Sequence, residues 1–368
     1  MRILLVENEE TSVRTLHEEL ALAGIAAEVL VARSRKSALA CLVQGEYDVV
    51  LCDLRIPSTD GALDENEEHG LLVVNETRAS HPVTRIFILS GFSSLDNIGD
   101  IVNRPEMDIY GTLKPVPMIR DTPKKNYGVC IRELTSVASE LEALATIRVE
   151  CVPALSEADA RALRVYARPR GGVIVRVAAL APGLSDAAPL RIAIYGPDDQ
   201  LQGSAFVKLG SRDAIASEEL RFRLHVNGVL PAGSFPSVAQ VVPTTDGRSA
   251  LVYSLIEGPT KSLFDVLHES EAAAVDVVQR LQKQEASSWA AGAPMARTTV
   301  KDIRESRGGR ADLIATHLGG LDWQWLEAQE LNVRRARQHG DLHGDNVLVD
   351  TCCRPRCSVM IRQDWVGT

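Results

Sequence analysis

Short apolar runs alternate with segments of helical period along the first 120 residues. Ile3–Val6, Ala27–Ala32, Val49–Cys52, Ile86–Leu89 and Ile109–Leu113 are brief, largely apolar stretches, as expected of strands buried on both faces of a parallel sheet. Between them Val13, Leu16, Leu20 and Ala23 recur at helical spacing before a stop at Gly24. Further helices are expected near Ser37–Gln44, Leu71–Ala79 and Leu95–Val102. Alternating βα units of this size predict a doubly wound parallel sheet with any ligand site at the carboxyl ends of the strands. Next, Ile131, Leu134, Val137, Leu141 and Leu144 mark an amphipathic helix of about four turns. It either packs on the preceding domain or forms a seam between two copies of the chain. Beyond it the pattern changes to strands at Gly172–Ala179 and Arg191–Tyr195, a strand around Ser204–Gly210, a helix over Ala214–Val226 and a strand from Leu251 to Gly258. Residues 259–338 read as mostly helical, with Trp289, Trp323 and Trp325 as packing bulk.

Length and charge narrow the classes. At 368 residues the chain has room for two or three domains. Apolar residues at 45% and charged residues at 24% are ordinary for a globular protein. A net charge of −9 argues against nucleic acid as a partner, because neutralising phosphates needs clustered Lys and Arg. The Arg-rich stretch Arg161–Arg176 reads as a solvated helix and linker. No apolar run reaches the length of a membrane span, and the N-terminus lacks the pattern of a signal peptide. Cys41, Cys52, Cys130 and Cys151 sit among apolar neighbours and read as buried thiols of a reducing compartment. Cys352, Cys353 and Cys357 lack the fourth ligand and paired spacing of a zinc site. The expected location is the cytoplasm, away from membranes.

The chemistry of the first domain lies at its strand ends. Glu7 closes the first strand, Asp53 the third, Ser90 the fourth and Lys114 the fifth, in the strings Val-Val-Leu-Cys-Asp53, Ile-Leu-Ser90-Gly-Phe and Thr-Leu-Lys114-Pro. The segment resembles the receiver domain of two-component response regulators along its whole length. The resemblance implies that Asp53 is phosphorylated as a mixed anhydride, receiving the group from a sensor histidine kinase or another phosphodonor. It also implies that Glu7 and Asp53 hold Mg²⁺, that Ser90 hydrogen-bonds the phosphoryl oxygens and that Lys114 pairs with them. A carboxylate can act as such a nucleophile when a bound cation offsets the incoming charge. Two positions depart from the family pattern. Asn8 stands where a second acid is usual, offering Mg²⁺ a carbonyl oxygen but no charge. Gly111 occupies the place of the switch aromatic, with Tyr110 one residue earlier. The acid-rich stretch Ser58–Gly70 reads as a solvated loop.

In the second half, the string His339-Gly-Asp341-Leu-His-Gly-Asp-Asn346 precedes an apolar run, putting a carboxylate and an amide five residues apart on a loop that leads into a strand. Phosphoryl transfer needs one carboxylate to orient and deprotonate the attacking hydroxyl and a nearby amide oxygen to help hold Mg²⁺. The string resembles the catalytic loop of aminoglycoside phosphotransferases and related kinase-like enzymes. Upstream parts follow in kinase order. Pro182–Asp186 gives a glycine loop between strands, with Gly183 and Ser185 against ATP phosphates, and Lys208 ends a strand as the lysine that pairs with them. Glu218 or Glu219, with Glu219 preferred, would position that lysine, and Leu251–Gly258 leads to the hinge. Asp341 is the expected catalytic base, and Asn346 and Asp364 the expected Mg²⁺ ligands.

The expected organisation is a receiver over 1–120, a linker helix over 121–155 and an α+β kinase-like, two-lobed domain over 156–368. Its small lobe spans about 172–258, and its large lobe over 259–368 is expected to be incomplete, as in a truncated or frame-shifted product. The implied cofactors are Mg²⁺ and ATP, and the phosphoryl acceptor is an unknown small molecule or protein. The competing expectation is a scaffold that binds partners or nucleotide without turnover.

Overall fold

The computed structural model describes residues 1–90, 106–124, 127–152, 154–180, 187–227, 235–254, 260–283, 295–306, 322–334, 347–350 and 355–357. Two compact units divide the chain: Met1–Ala181 with Ala187–Ile215 and Gln240–Val252, and Pro182–Asp186 with Ala216–Ala239 and Tyr253–Thr368.

The first unit opens with β1 (Arg2–Val6), β2 (Glu28–Ala32), β3 (Val49–Asp53), β4 (Arg85–Ser90) and β5 (Ile119–Pro123) in one parallel sheet of order β2-β1-β3-β4-β5. That order is the flavodoxin-like one, with a switch point beside β1 and β3. The apolar runs are strands because both faces are covered: Ile3, Leu4, Leu5, Val49, Val50, Leu51, Phe87 and Ile88 are all buried. Helices α1 (Glu10–Leu22), α2 (Arg35–Gln44) and α3 (Glu67–Ser80) connect them. Gly24, in the left-handed region at φ 67°, ends α1 as its spacing predicts. Ser34 caps α2 through a reciprocal box with Ser37, and Asn66 caps α3. The expected helix at Leu95–Val102 lies outside the described residues.

The fifth strand is not where the apolar pattern places it. Residues 108–113 form a turn in which the Asp108 carboxylate accepts from the backbone N–H of Tyr110, Thr112 and Leu113. Gly111 and Leu113 there have φ of 65° and 61°, which no strand permits. Helix α4 (Tyr127–Ala145), within the expected linker, buries Cys130, Leu134, Val137 and Leu144 in the core. Ile131 and Leu141 on the same helix are partly buried against that core.

The same unit continues into β6 (Arg148–Cys151), α5 (Glu157–Ala167), β7 (Ile174–Ala179), β8 (Ala188–Tyr195) and β9 (Leu201–Ser211). With β10 (Val238–Pro243) and β11 (Arg248–Ser254) these strands make a six-stranded sheet of order β10-β11-β9-β8-β7-β6. One continuous apolar core runs from Ile3, Leu5, Leu51 and Phe87 through Leu163 and Val165 of α5 to Val175, Leu190, Ile192 and Val207 of this sheet. Polar contacts follow the same boundary. Arg161 of α5 pairs with Asp48 at 2.5 Å, Thr245 donates to Glu46 at 2.5 Å, and Arg212 donates to the Ala79 carbonyl at 2.8 Å.

Helix α6 (Arg212–His225) starts in the first unit and passes into the second at Ala216, and the second also holds the helical hairpin α7 (Leu263–Glu269) and α8 (Glu271–Leu281). A three-stranded antiparallel sheet joins Thr260–Ser262, Val347–Asp350 and Pro355–Cys357, and a two-stranded ladder pairs Met295–Thr299 with Glu330–Arg334. Among the described residues no helix is long and apolar enough to cross a membrane.

Candidate active site

At the carboxyl ends of β1 and β3, carboxylates and one amine converge. Glu7 follows β1 and is fully buried, and Asp53 ends β3 at 7% exposure. The ammonium of Lys124, the residue just after β5, lies 2.7 Å from Asp53 Oδ2, 2.9 Å from Glu7 Oε2 and 3.2 Å from Glu9 Oε2. The other Asp53 oxygen accepts the Arg55 N–H at 3.1 Å, and the other Glu7 oxygen accepts the Glu9 N–H at 3.0 Å. Burial raises the Glu7 pKa, and the Glu9 N–H and Lys124 only partly oppose it. For Lys124, burial alone would lower the pKa, yet its hydrogen bonds and charge pairing with Asp53 and Glu7 prevail and raise it. Ser12 and Lys124 draw Glu9 below its ordinary value.

The backbone behind Asp53 is crowded. A Cβ on Gly70 would stand 2.4 Å from the Leu54 Cα and 2.7 Å from the Asp53 carbonyl oxygen, so α3 can approach β3 only through a glycine. Buried Cys52, adjacent to Asp53, has its thiol pKa pushed up by burial first and by the two nearby acids after it.

Several of the expected receiver residues meet here and others do not. Glu7 and Asp53 are in the cluster. The Asn8 amide donates to Glu65 at 2.7 Å, which ties the acidic loop to the end of β1. Lys114 is exposed just after the turn that replaces the expected strand, and the ammonium beside Asp53 is that of Lys124. The backbone of Ser90 ends β4 beside Pro123; its side chain lies outside the described residues. Lys124 was missed because its strand, Ile-Arg-Asp-Thr-Pro, is a polar sheet edge, whereas Lys114-Pro115 matches the family string by sequence alone.

The donor set suits a hard dication. Two buried carboxylates already share one cation, the Lys124 ammonium, and magnesium commonly takes one or two carboxylates while keeping several waters. Among the described residues no group of three or more His, Cys, Asp or Glu is spaced to enclose a metal, so protein ligands alone would not complete its shell.

In the six-stranded sheet, β7 and β8 pair antiparallel from Ile174 with Tyr195 to Ala179 with Leu190. The two expected strands therefore pair; Gly183 and Ser185, between them in sequence, lie outside the described residues. Lys208 is on β9, opposite Pro189 of β8, and is buried to 4% exposure. On α6 the two glutamates differ. Glu218 is buried and its Oε1 accepts the Tyr253 hydroxyl at 2.6 Å, while Glu219 is partly exposed with Arg223 at 3.9 Å. Burial, followed by the Glu218 charge, raises the Tyr253 pKa. Of the adjacent pair Glu218 is the buried one and Glu219, the preferred candidate, is not, because adjacent helical residues point about 100° apart. Asp341, Asn346 and Asp364 lie outside the described residues, but the apolar run after Asn346 is a strand, Val347–Asp350, as the motif requires.

The model of the phosphotransferase enzyme family, APH, matches residues 153–361. No curated protein matches the chain. Among solved structures, a signal receiver domain of an HD domain-containing protein from Pseudomonas fluorescens Pf-5 is similar at 22% identity, covering 38% of this chain and 91% of that one, with a TM-score of 0.28. The response regulator TrrA of Thermotoga maritima, in complex with Mg²⁺ and BeF, is similar at 21% identity, covering 37% and 97%, with a TM-score of 0.28. A two-component transcriptional regulator from Clostridium phytofermentans is similar at 18% identity, covering 39% and 98%, with a TM-score of 0.29.

Proposed function

The chain belongs to the phosphotransferase enzyme family across residues 153–361, and on that premise we propose that it is a signalling phosphotransferase whose fused receiver domain controls transfer through phosphorylation of Asp53. The observation that carries the reading is the Glu7–Asp53–Lys124 cluster at the switch end of the parallel sheet. A buried carboxylate with an amine at 2.7 Å and an acid beside it is equipped to accept a phosphoryl group and to neutralise it afterwards.

In the receiver step an Asp53 carboxylate oxygen forms a bond to phosphorus. The bond from phosphorus to the donor's nitrogen or oxygen breaks, and the leaving group keeps the electron pair. Lys124 then moves its ammonium from the carboxylates to the new phosphoryl oxygens. Glu7 and Asp53 would hold Mg²⁺, which supplies charge to offset the phosphoryl oxygens during transfer. The donor of choice is a sensor histidine kinase, with a small acyl phosphate as substitute.

In the transferase step Asp341 would orient an acceptor hydroxyl and take its proton as the acceptor oxygen bonds to the γ-phosphorus of ATP and the bond to the bridging oxygen breaks, ADP leaving with the electron pair. Lys208, Gly183 and Ser185 would hold the ATP phosphates, and Asn346 and Asp364 would hold Mg²⁺. Glu218 serves the lysine-positioning role better than Glu219, since it is the buried one. The acceptor is a small-molecule or protein alcohol, and the place of action is the cytoplasm.

Two measurements test this. Acetyl phosphate with Mg²⁺ should add one phosphoryl mass to the wild type and none to Asp53→Ala. ATP consumption over a panel of hydroxyl acceptors should fall by about 10²–10⁴ in Asp341→Asn, the usual worth of a general base. Nucleotide binding without turnover on any acceptor would favour the scaffold reading, which the neutral Asn8, with its amide donated to Glu65, supports.

A further inference from the structure

From the acid cluster the chain leads back through one strand to a turn that touches the first helix of the phosphotransferase match. Lys124, held by Asp53 and Glu7, directly follows β5. Just before β5 the chain doubles back, with Glu106–Met107 pairing with Val116–Pro117. The turn between them is closed by Asp108 and carries two left-handed residues, one of them the non-glycine Leu113. Such a backbone persists only where its surroundings hold it. The inner side of the turn is pressed against α5. A Cβ on Gly111 would stand 2.2 Å from the Val165 carbonyl oxygen. Arg168 Nη1, just past α5, donates to the Tyr110 carbonyl at 3.0 Å and to Glu140 of α4 at 2.7 Å. Tyr110 itself is buried. From α5, Asp159 pairs with Arg248 of β11 at 2.8 Å, in the same sheet as the Lys208 strand.

The rest of the boundary is built to stay closed. Arg161–Asp48, Thr245–Glu46 and Arg212–Ala79 lie at the amino ends of the receiver strands and the far end of α3, away from Asp53. His81 adds to them, with its ring nitrogens 2.9 Å from the Leu42 carbonyl and 3.4 Å from the Thr245 carbonyl. Releasing this face would expose the apolar core that the receiver sheet and the six-stranded sheet share.

We propose that the 106–118 turn carries the state of Asp53 to α5, and through α5 to the sheet bearing Lys208, while the remaining contact between receiver and small lobe stays shut. The receiver is then a fixed back wall with one movable element rather than a cap that comes off. The proposal rests on the reading of Asp53 as phospho-acceptor, so its test has one arm that needs no phosphate.

Hydrogen exchange read by mass spectrometry on the full chain supplies both arms. With acetyl phosphate, the wild type should gain phosphoryl mass at Asp53, and amide exchange over 157–167 should change severalfold while 42–48 and 79–84 keep their protection. Arg168→Gln should keep the mass gain and lose the response at 157–167; Gly111→Ala should do the same if it folds. Lys124→Met should alter 157–167 with no phosphodonor present, because it frees the segment from the carboxylates. Phosphorylated wild type with unchanged 157–167, or Lys124→Met with wild-type exchange there, overturns the proposal. So does loss of protection at 42–48 and 79–84, which would mean release. A chain that takes no phosphate yet responds to Lys124→Met sinks the acceptor reading and leaves the turn's role supported.

Discussion

Replacing Lys124 with methionine keeps most of the side chain's apolar length and deletes the charge that the carboxylates share. The ammonium makes short contacts to Asp53 at 2.7 Å and Glu7 at 2.9 Å, and its side chain is only 17% exposed. Hydrogen bonds to charged groups are worth about 1.5–3 kcal/mol each. The variant recovers the cost of burying the ammonium, so the net loss is about 2–3 kcal/mol, below the full penalty of breaking a buried pair. In a unit of this size that lowers Tm by roughly 4–12 °C.

The deficit also has a pH signature. The folded-state pKa of Glu7 already lies above its ordinary value of 4.5 because of burial, and losing Lys124 raises it further. A group whose acid form is favoured by folding binds more protons folded than unfolded. Stability therefore rises as pH falls through the folded pKa, and the gain is complete below the unfolded one. The variant should thus close much of its gap to wild type on going from neutral pH toward 4.5. Mg²⁺ should rescue it at neutral pH, by about 2.7 kcal/mol at a hundredfold excess over Kd, and should stabilise wild type less because there it must displace the ammonium. Thermal unfolding followed by circular dichroism, across pH and with and without Mg²⁺, reads all three effects. A variant as stable as wild type at neutral pH, with no added response to Mg²⁺, refutes the claim that these carboxylates need a cation.

Three further outcomes follow from the packing. Gly70→Ala forces a Cβ to 2.4 Å from the Leu54 Cα and should cost about 1–3 kcal/mol by overpacking, measurable in urea unfolding. Asp48→Asn and Arg161→Met should each destabilise the first unit, and the double variant should lose less than their sum, giving a coupling of about 1–3 kcal/mol in a double-mutant cycle. Glu218→Ala strands the buried Tyr253 hydroxyl's partner position and should cost about 1–3 kcal/mol, whereas Glu219→Ala should stay within about 0.5 kcal/mol.

Where burial is two-sided, the sequence announces it. Ile3–Val6, Val49–Cys52 and Ile86–Leu89 are legible because a central parallel strand must be apolar throughout. The helix over Tyr127–Ala145 is legible because its apolar positions recur at three and four. Edge elements do not obey that rule. Ile119–Pro123 pairs on one side only and carries Arg120 and Asp121, so it lacks a strand-like apolar run, and its lysine escaped notice with it. Conversely, Ile109–Leu113 has the composition of a strand, but Asp108 and Gly111 bend it into a turn that packs on α5. Choosing between Glu218 and Glu219 needed the helix phase, which a weakly amphipathic segment does not reveal. The shared core between the parallel sheet and the six-stranded sheet is not legible, since the apolar positions that build it look like ordinary core residues of separate domains.

The most direct test of control by the receiver is the rate of ATP-dependent phosphoryl transfer by the full chain, measured before and after stoichiometric phosphorylation of Asp53, beside Asp53→Ala treated identically. The account predicts a rate that changes with phosphorylation in the wild type and stays constant in the variant. A wild-type rate that is the same in both states would contradict it.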